Sequence, residues 1–136
     1  MAGEILIIDE NPGIQQALKR FLSQNGYSVV AAYNVENAIH LMNKLLPWLV
    51  MLDIKMPHGD GIGFINLMKK SNCSIPIIVM TAYPTFFTQE QALNIGVSAY
   101  VTKPFDSSEV LKHIKQLFCK NMEINSSLLN EKCMVK

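Results

Sequence analysis

The sequence predicts an α/β domain, an open doubly wound parallel sheet of five strands with five flanking helices, for which the strand order 2-1-3-4-5 is taken. Three observations predict it. Short, wholly apolar runs rich in Ile, Val and Leu alternate with segments whose apolar residues recur at helical spacing. The runs do not alternate polar with apolar, as strands covered by helices on both faces should not. Each ends abruptly at a polar residue or a turn signal.

Ile5 to Ile8 is the first such run, and it stops at Asp9-Glu10-Asn11 before Pro12-Gly13. Ile14, Ala17, Leu18, Phe21 and Leu22 then mark a helix that Asn25-Gly26 ends. Tyr27 to Ala31 reads as the second strand. Asn34 can cap a second helix, striped by Val35, Ala38, Leu41, Met42 and Leu45 and closed by Pro47. Trp48 to Leu52 is the third strand and ends on Asp53; after a Pro/Gly-rich loop, Ile62, Ile65, Leu67 and Met68 mark the third helix. Ile77 to Met80 is the fourth strand, with Thr81 at its polar end. A loop through Pro84 leads to a helix carrying Ala92, Leu93 and Ile95, which Gly96 stops. Ala99 to Thr102 is the fifth strand, broken by Lys103-Pro104. Asp106 with Glu109 resembles a capping pair for a last helix bearing Val110, Leu111, Ile114, Leu117 and Phe118. Residues 1–120 form the expected domain, and 121–136, without clear periodicity, read as a tail or linker stub with no function assigned.

Bulk composition narrows the function classes. The chain has 136 residues, about half of them apolar and 17% charged, which is ordinary for a folded domain rather than a disordered one. A formal net charge of +1 supplies no footprint for gripping nucleic acid, so direct nucleic-acid binding is not expected. The longest apolar run, Leu45 to Leu52, contains Pro47 and is too short to span a bilayer, and the start lacks a basic secretory n-region. Cys73, Cys119 and Cys133 show no metal-ligand spacing and fit thiols in a reducing compartment, so a cytoplasmic location is expected.

The chemistry-bearing residues share one positional property. Asp9-Glu10, Asp53, Thr81 and Lys103 each stand at or just past the carboxyl end of an expected strand, so they should converge at one sheet edge. Open α/β sheets bind ligands outside those ends, where strand order reverses, here between strands one and three. Asp9, Glu10 and Asp53 would meet there as carboxylates that repel one another unless a proton or cation intervenes. An all-oxygen set suits Mg²⁺, which keeps several waters and leaves room for phosphate. Lys103 adds an opposing charge and Thr81 a hydroxyl donor, completing the parts list of a phosphoryl-transfer site. Neither G-x-x-x-x-G-K-[ST] nor G-x-G-x-x-G occurs, so the phosphoryl donor should be a protein or a small phosphorylated molecule rather than a cradled nucleotide. Taken singly, Asp9 or Glu10 is as readily a helix cap, Thr81 a turn hydroxyl and Lys103 a solvated loop charge. Only their joint placement favours the site.

Four segments carry a family resemblance: Ile-Leu-Ile-Ile-Asp-Glu at 5–10, Leu-Asp-Ile-Lys-Met-Pro at 52–57 with Gly59 and Gly61 following, Met-Thr-Ala-Tyr at 80–83, and Lys-Pro-Phe-Asp at 103–106. From Ile5 to about Phe118 the chain resembles bacterial two-component response regulator receiver domains, with their CheY-like, flavodoxin-like topology. The resemblance implies that Asp53 is the phosphoacceptor, that Glu10 and Asp53 hold Mg²⁺ with the backbone carbonyl of Lys55, and that Asp9 acts through a bound water. It implies that Thr81 and Lys103 bind the phosphoryl oxygens, that the Lys103-Pro104 bond is cis, and that Tyr100 is the aromatic switch. Glu10 departs from the family's more usual Asp, and its extra methylene shifts the carboxylate.

The implied function is a phosphoacceptor switch that catalyses its own aspartyl phosphorylation and dephosphorylation. It would take the group from the phosphohistidine of a sensor histidine kinase or histidine phosphotransfer protein and present a changed surface to an effector. Lys55 and Tyr83 stand at positions that influence phosphoryl lifetime in the family, and the pairing resembles stand-alone receivers of sporulation phosphorelays. A homodimer through helix four, strand five and helix five is a further implied association. His58 could touch a donor but reads more simply as a loop imidazole, and His40 and His113 as helix-surface residues. Rival readings are the input domain of a longer transcriptional regulator, a phosphorylation-independent interaction module, and a flavodoxin-like flavin carrier, which the carboxylate cluster opposes.

Overall fold

Backbone amides in a short, extended apolar run take their acceptors from neighbouring strands, and all five runs do so in one parallel sheet ordered β2-β1-β3-β4-β5. The computed structural model describes residues 3–54, 60–71, 73–85 and 87–125. The elements are β1 (Ile5–Ile8), α1 (Pro12–Gln24), β2 (Val29–Ala32), α2 (Val35–Leu45), β3 (Leu49–Ile54), α3 (Asp60–Lys70), β4 (Ile77–Thr81), α4 (Gln89–Asn94), β5 (Ala99–Thr102) and α5 (Ser107–Asn125). The expected topology is the observed one.

Alternation of side chains across the pleat divides the core into two layers. Leu6, Ile8, Val50, Leu52 and Ile54 pack with Ala38 and Met42 of α2, Phe64, Ile65 and Met68 of α3, and Ala92 of α4. Ile5, Ile7, Leu49, Met51, Ile78 and Met80 face the other way, toward Leu18 and Leu22 of α1 and Val110 and Ile114 of α5. Neither face of the central strands reaches water, which is why these strands read as unbroken apolar runs.

Several boundaries differ from the expected ones. Tyr27 lies outside β2 because its amide closes α1 by donating to the Leu22 carbonyl at 3.0 Å, beside Gly26 at φ 91°. Its ring instead joins Trp48 and Phe118, with centroids 6.3 and 6.0 Å away. β3 runs past Leu52 through Asp53, because the ladder pairs Asp53 with Met80 and Ile54 with Thr81 regardless of polarity. α1 begins at Pro12, whose missing N–H costs nothing in a first turn, and Asn11 caps it by accepting from Gly13 and Ile14. α4 opens on a reciprocal Thr88/Gln91 capping box that the apolar stripe did not reveal. At α5, the Asp106 carboxylate accepts from the Ser108 amide at 3.0 Å, a bond that lowers its pKa, and the helix continues to Asn125. Cys119 is a free, exposed thiol, whereas Cys73, expected as a thiol, is disulfide-bonded. Among the described residues no helix is long and apolar enough to cross a membrane.

Gly61, at the start of α3, lets that helix close over the end of β3. A Cβ there would stand 2.6 Å from the Ile54 Cδ1 and 3.2 Å from the Asp53 backbone oxygen. Gly61→Val should therefore push α3 off β3 and destabilise the fold by roughly 1–3 kcal/mol, read as a lower urea midpoint with an unchanged slope.

Candidate functional site

Strand register places the polar residues before any side-chain geometry is considered. β1 pairs with β3 so that Ile8 lies opposite Leu52, which sets Asp9 and Asp53 side by side as the next residues on each chain. β4 and β5 pair Thr81 with Thr102, so Lys103 follows directly. β1 has β2 on one side and β3 on the other, so this edge is the point where strand order reverses and where the fold opens a crevice.

Side chains complete the arrangement. The Lys103 ammonium is 2.9 Å from an Asp9 carboxylate oxygen and 2.8 Å from an Asp53 oxygen. Both carboxylates are buried, with side chains 0% and 4% exposed, and Lys103 is 16% exposed. A second Asp9 oxygen accepts from the Asn11 amide at 2.9 Å. The Lys103 backbone amide donates to the Thr81 carbonyl at 2.7 Å, and the Lys103-Pro104 bond is cis. Burial acts to lower the Lys103 pKa, but hydrogen bonds and charge from Asp53 and Asp9 outweigh it and raise the pKa above the usual 10.5. A lysine shifted in that sense contributes stability that is complete at neutral pH and lost only as pH climbs through and beyond 10.5.

Thr81 is fully buried, and its hydroxyl oxygen accepts from the Tyr83 amide at 2.9 Å. An accepting hydroxyl still carries a hydrogen to donate. The Tyr100 hydroxyl donates to the Phe87 carbonyl in the segment leading into α4, and burial pushes its pKa up from 10.0. Its ring packs against the core layer that contains Phe87 and Ala92. Tyr83 is half exposed beside Thr81.

Asp9 and Asp53 are drawn together by Lys103, and Glu10 is exposed at the same edge. Among the described residues no group of three or more His, Cys, Asp or Glu is poised to hold a metal. The expected Lys55 carbonyl and His58 lie outside the described residues. The residues present fit a hard cation, because Asp9, Glu10 and Asp53 offer carboxylate oxygen donors at one edge. His40 and His113 lie on α2 and α5, elements whose residues take no part in these contacts.

Sequence reasoning missed two residues that build this edge. Asn11 caps α1 and bonds Asp9 through its own amide. Gln15 was passed over within the α1 stripe, although it is buried and bonds the backbone under Asp9. A polar residue at an inward helical position was the available signal.

Comparison with known proteins agrees with this geometry. The model of the response regulator receiver domain family matches residues 5–115. The virulence transcriptional regulatory protein PhoP of Salmonella typhimurium is 30% identical over 126 residues, covering 93% of this chain and 56% of that protein. The probable transcriptional regulator ycf27 of Pyropia yezoensis is 34% identical over 125 residues, covering 92% and 51%. The chain thus spans about half the length of these curated relatives. Among solved structures, the Francisella response regulator 1452 receiver domain superposes with a TM-score of 0.80 at 26% identity, covering 87% of this chain and 98% of that one. A CheY-like receiver domain protein from Methanospirillum hungatei gives 0.81 at 25%, covering 90% and 98%. With the family model spanning most of the chain, and the five-stranded topology and strand-end constellation in place, the chain belongs to the response regulator receiver domain family.

Proposed function

We propose that this domain is a phosphoacceptor switch of a two-component system or phosphorelay, with Asp53 as the residue that takes the phosphoryl group. The observation that carries this reading is the buried Asp53 carboxylate at the strand-reversal crevice, held 2.8 Å from the Lys103 ammonium. In the reaction, an Asp53 oxygen attacks phosphorus in line while the N–P bond to a donor histidine breaks, and the imidazole leaves with the electron pair. Lys103 exchanges a carboxylate contact for a phosphoryl oxygen, and the Thr81 hydroxyl donates to another. Asp9, Glu10, Asp53 and the Lys55 carbonyl would hold Mg²⁺, which when bound neutralises charge on the transferring group. Attack by water on the acyl phosphate later returns the carboxylate.

The switch follows from what the phosphoryl group recruits. Turning Thr81 toward it competes with the Tyr83 amide bond and so with the conformation of the loop that continues to Phe87, where Tyr100 is anchored. The α4 and β5 surface then changes for an effector or a second copy, also engaging α5. Phosphorylation can shift that equilibrium only as far as its contacts differ between the two states. The donor is a sensor histidine kinase or histidine phosphotransfer protein, the setting the cytoplasm. A second reading has support from the relatives' names and lengths: the domain is the input half of a longer transcriptional regulator. Reading the gene beyond Lys136 distinguishes the two.

Incubation with acetyl phosphate and Mg²⁺ should add one phosphate, seen by intact mass, and Asp53→Asn should abolish it. An unmodified wild type, or an adduct that survives Asp53→Asn, would sink the assignment and favour a phosphorylation-independent interaction module. Removing the shared cation by Lys103→Met should leave two buried like charges and cost roughly 1–3 kcal/mol, less than for a fully buried pair because Lys103 keeps some solvent contact. Urea melts should show that deficit in EDTA and its partial recovery in excess Mg²⁺.

A further inference from the structure

Gln15 is an amide in a place that packing alone would give to a hydrocarbon. It lies in the first turns of α1, on the inward face with Leu18 and Leu22, and is 1% exposed. Its Nε2 stands 3.0 Å from the Ile7 carbonyl, 3.0 Å from the Asp9 carbonyl and 2.8 Å from the Ala32 carbonyl. Three acceptors around one atom identify that atom as the nitrogen, so the amide orientation follows from its surroundings. Its Oε1 is buried with no hydrogen-bond partner among the described residues. An apolar side chain of similar volume would avoid that unmet acceptor but would leave three strand-end carbonyls sharing fewer donors. What the position needs is the donor.

Two of those carbonyls bracket the site. Ala32, which ends β2, also accepts from the Asp9 amide at 3.1 Å, so both backbone polar groups of Asp9 are tied down, one by Ala32 and one by Gln15. With the main chain fixed, the Asp9 carboxylate meets the Asn11 amide and the Lys103 ammonium. We infer that Gln15 is a positioning residue for the Asp9 arm of the phosphoacceptor site, acting through the backbone and touching no reacting atom. This rests on the role proposed above for Asp9. Outer-shell partners of this kind typically change metal affinity or activity about 10–100-fold when lost.

The test compares full chains carrying Gln15→Met, which keeps volume and removes the donor, with Leu18→Ala, which weakens the same helix without touching the Asp9 backbone. Two readouts are taken: amide hydrogen exchange without metal, and the Mg²⁺ dependence of phosphorylation by acetyl phosphate. In Gln15→Met the Asp9 and Asn11 amides should exchange about 10-fold faster while the Val50 and Met51 amides keep the protection expected from global stability. Half-saturating Mg²⁺ should rise about 10-fold in Gln15→Met and stay unchanged in Leu18→Ala. Should Gln15→Met fail to fold, the wild type decides. Its Gln15 side-chain amide protons should be strongly protected and should shift on addition of Mg²⁺, and rapid exchange without a shift overturns the inference. Unchanged Asp9 and Asn11 exchange in a folded Gln15→Met also overturns it. If the wild type takes no phosphate on Asp53, the phosphoacceptor reading fails, and the exchange arm alone then decides whether Gln15 positions Asp9.

Discussion

Two carboxylates buried side by side at the end of a sheet cannot persist without positive charge, and the rest of this domain is arranged around that constraint. Coulomb repulsion between unit charges a few ångströms apart reaches about 4 kcal/mol at the effective dielectric near a protein surface. Lys103 meets the demand from the far side of the sheet, reaching Asp53 at 2.8 Å and Asp9 at 2.9 Å across a sequence separation of 94 residues. The carboxylate oxygens gathered at this edge are donors of the kind that suit a hard cation.

Holding such a site still is the work of the scaffold beneath it. Two apolar layers lock the strands, and their register sets which residues emerge at the edge. The polar connections above them are few. Asn11 caps α1 while its amide bonds Asp9, Gln15 ties the ends of β1 and β2, and the Lys103 amide bonds the Thr81 carbonyl. On the β4 side the connections have a different character. Thr81 accepts from the Tyr83 amide, Tyr100 donates to the Phe87 carbonyl, and the Phe87 amide donates to the Tyr83 carbonyl at 3.3 Å, so two hydroxyls and one turn bond tie down the segment before α4.

The opposite end of the sheet is built differently. Tyr27, Trp48 and Phe118 meet edge to face or tilted, with Trp48 and Phe118 centroids 5.2 Å apart, and anchor α5 beyond the strand starts. Trp48 precedes β3 whereas Asp53 lies near its end, so the indole belongs to the anchoring end and not to the charged one.

The sequence by itself determined the parallel sheet and the identity of the edge residues, because strand burial and helical periodicity are local signals and four motif segments are specific. It also pointed to Asp9, Asp53, Thr81 and Lys103 as neighbours, since residues at the ends of parallel strands must share an edge. Only the tertiary structure decided how they meet: Lys103 between Asp9 and Asp53, Glu10 exposed, and the Tyr100 hydroxyl turned onto the Phe87 carbonyl. It also decided that Gln15 faces inward and that the Tyr27 amide closes a helix instead of entering a strand. These choices depend on which distant carbonyl or charge lies within 3 Å, and that is a property of packed chains with no counterpart in residue spacing.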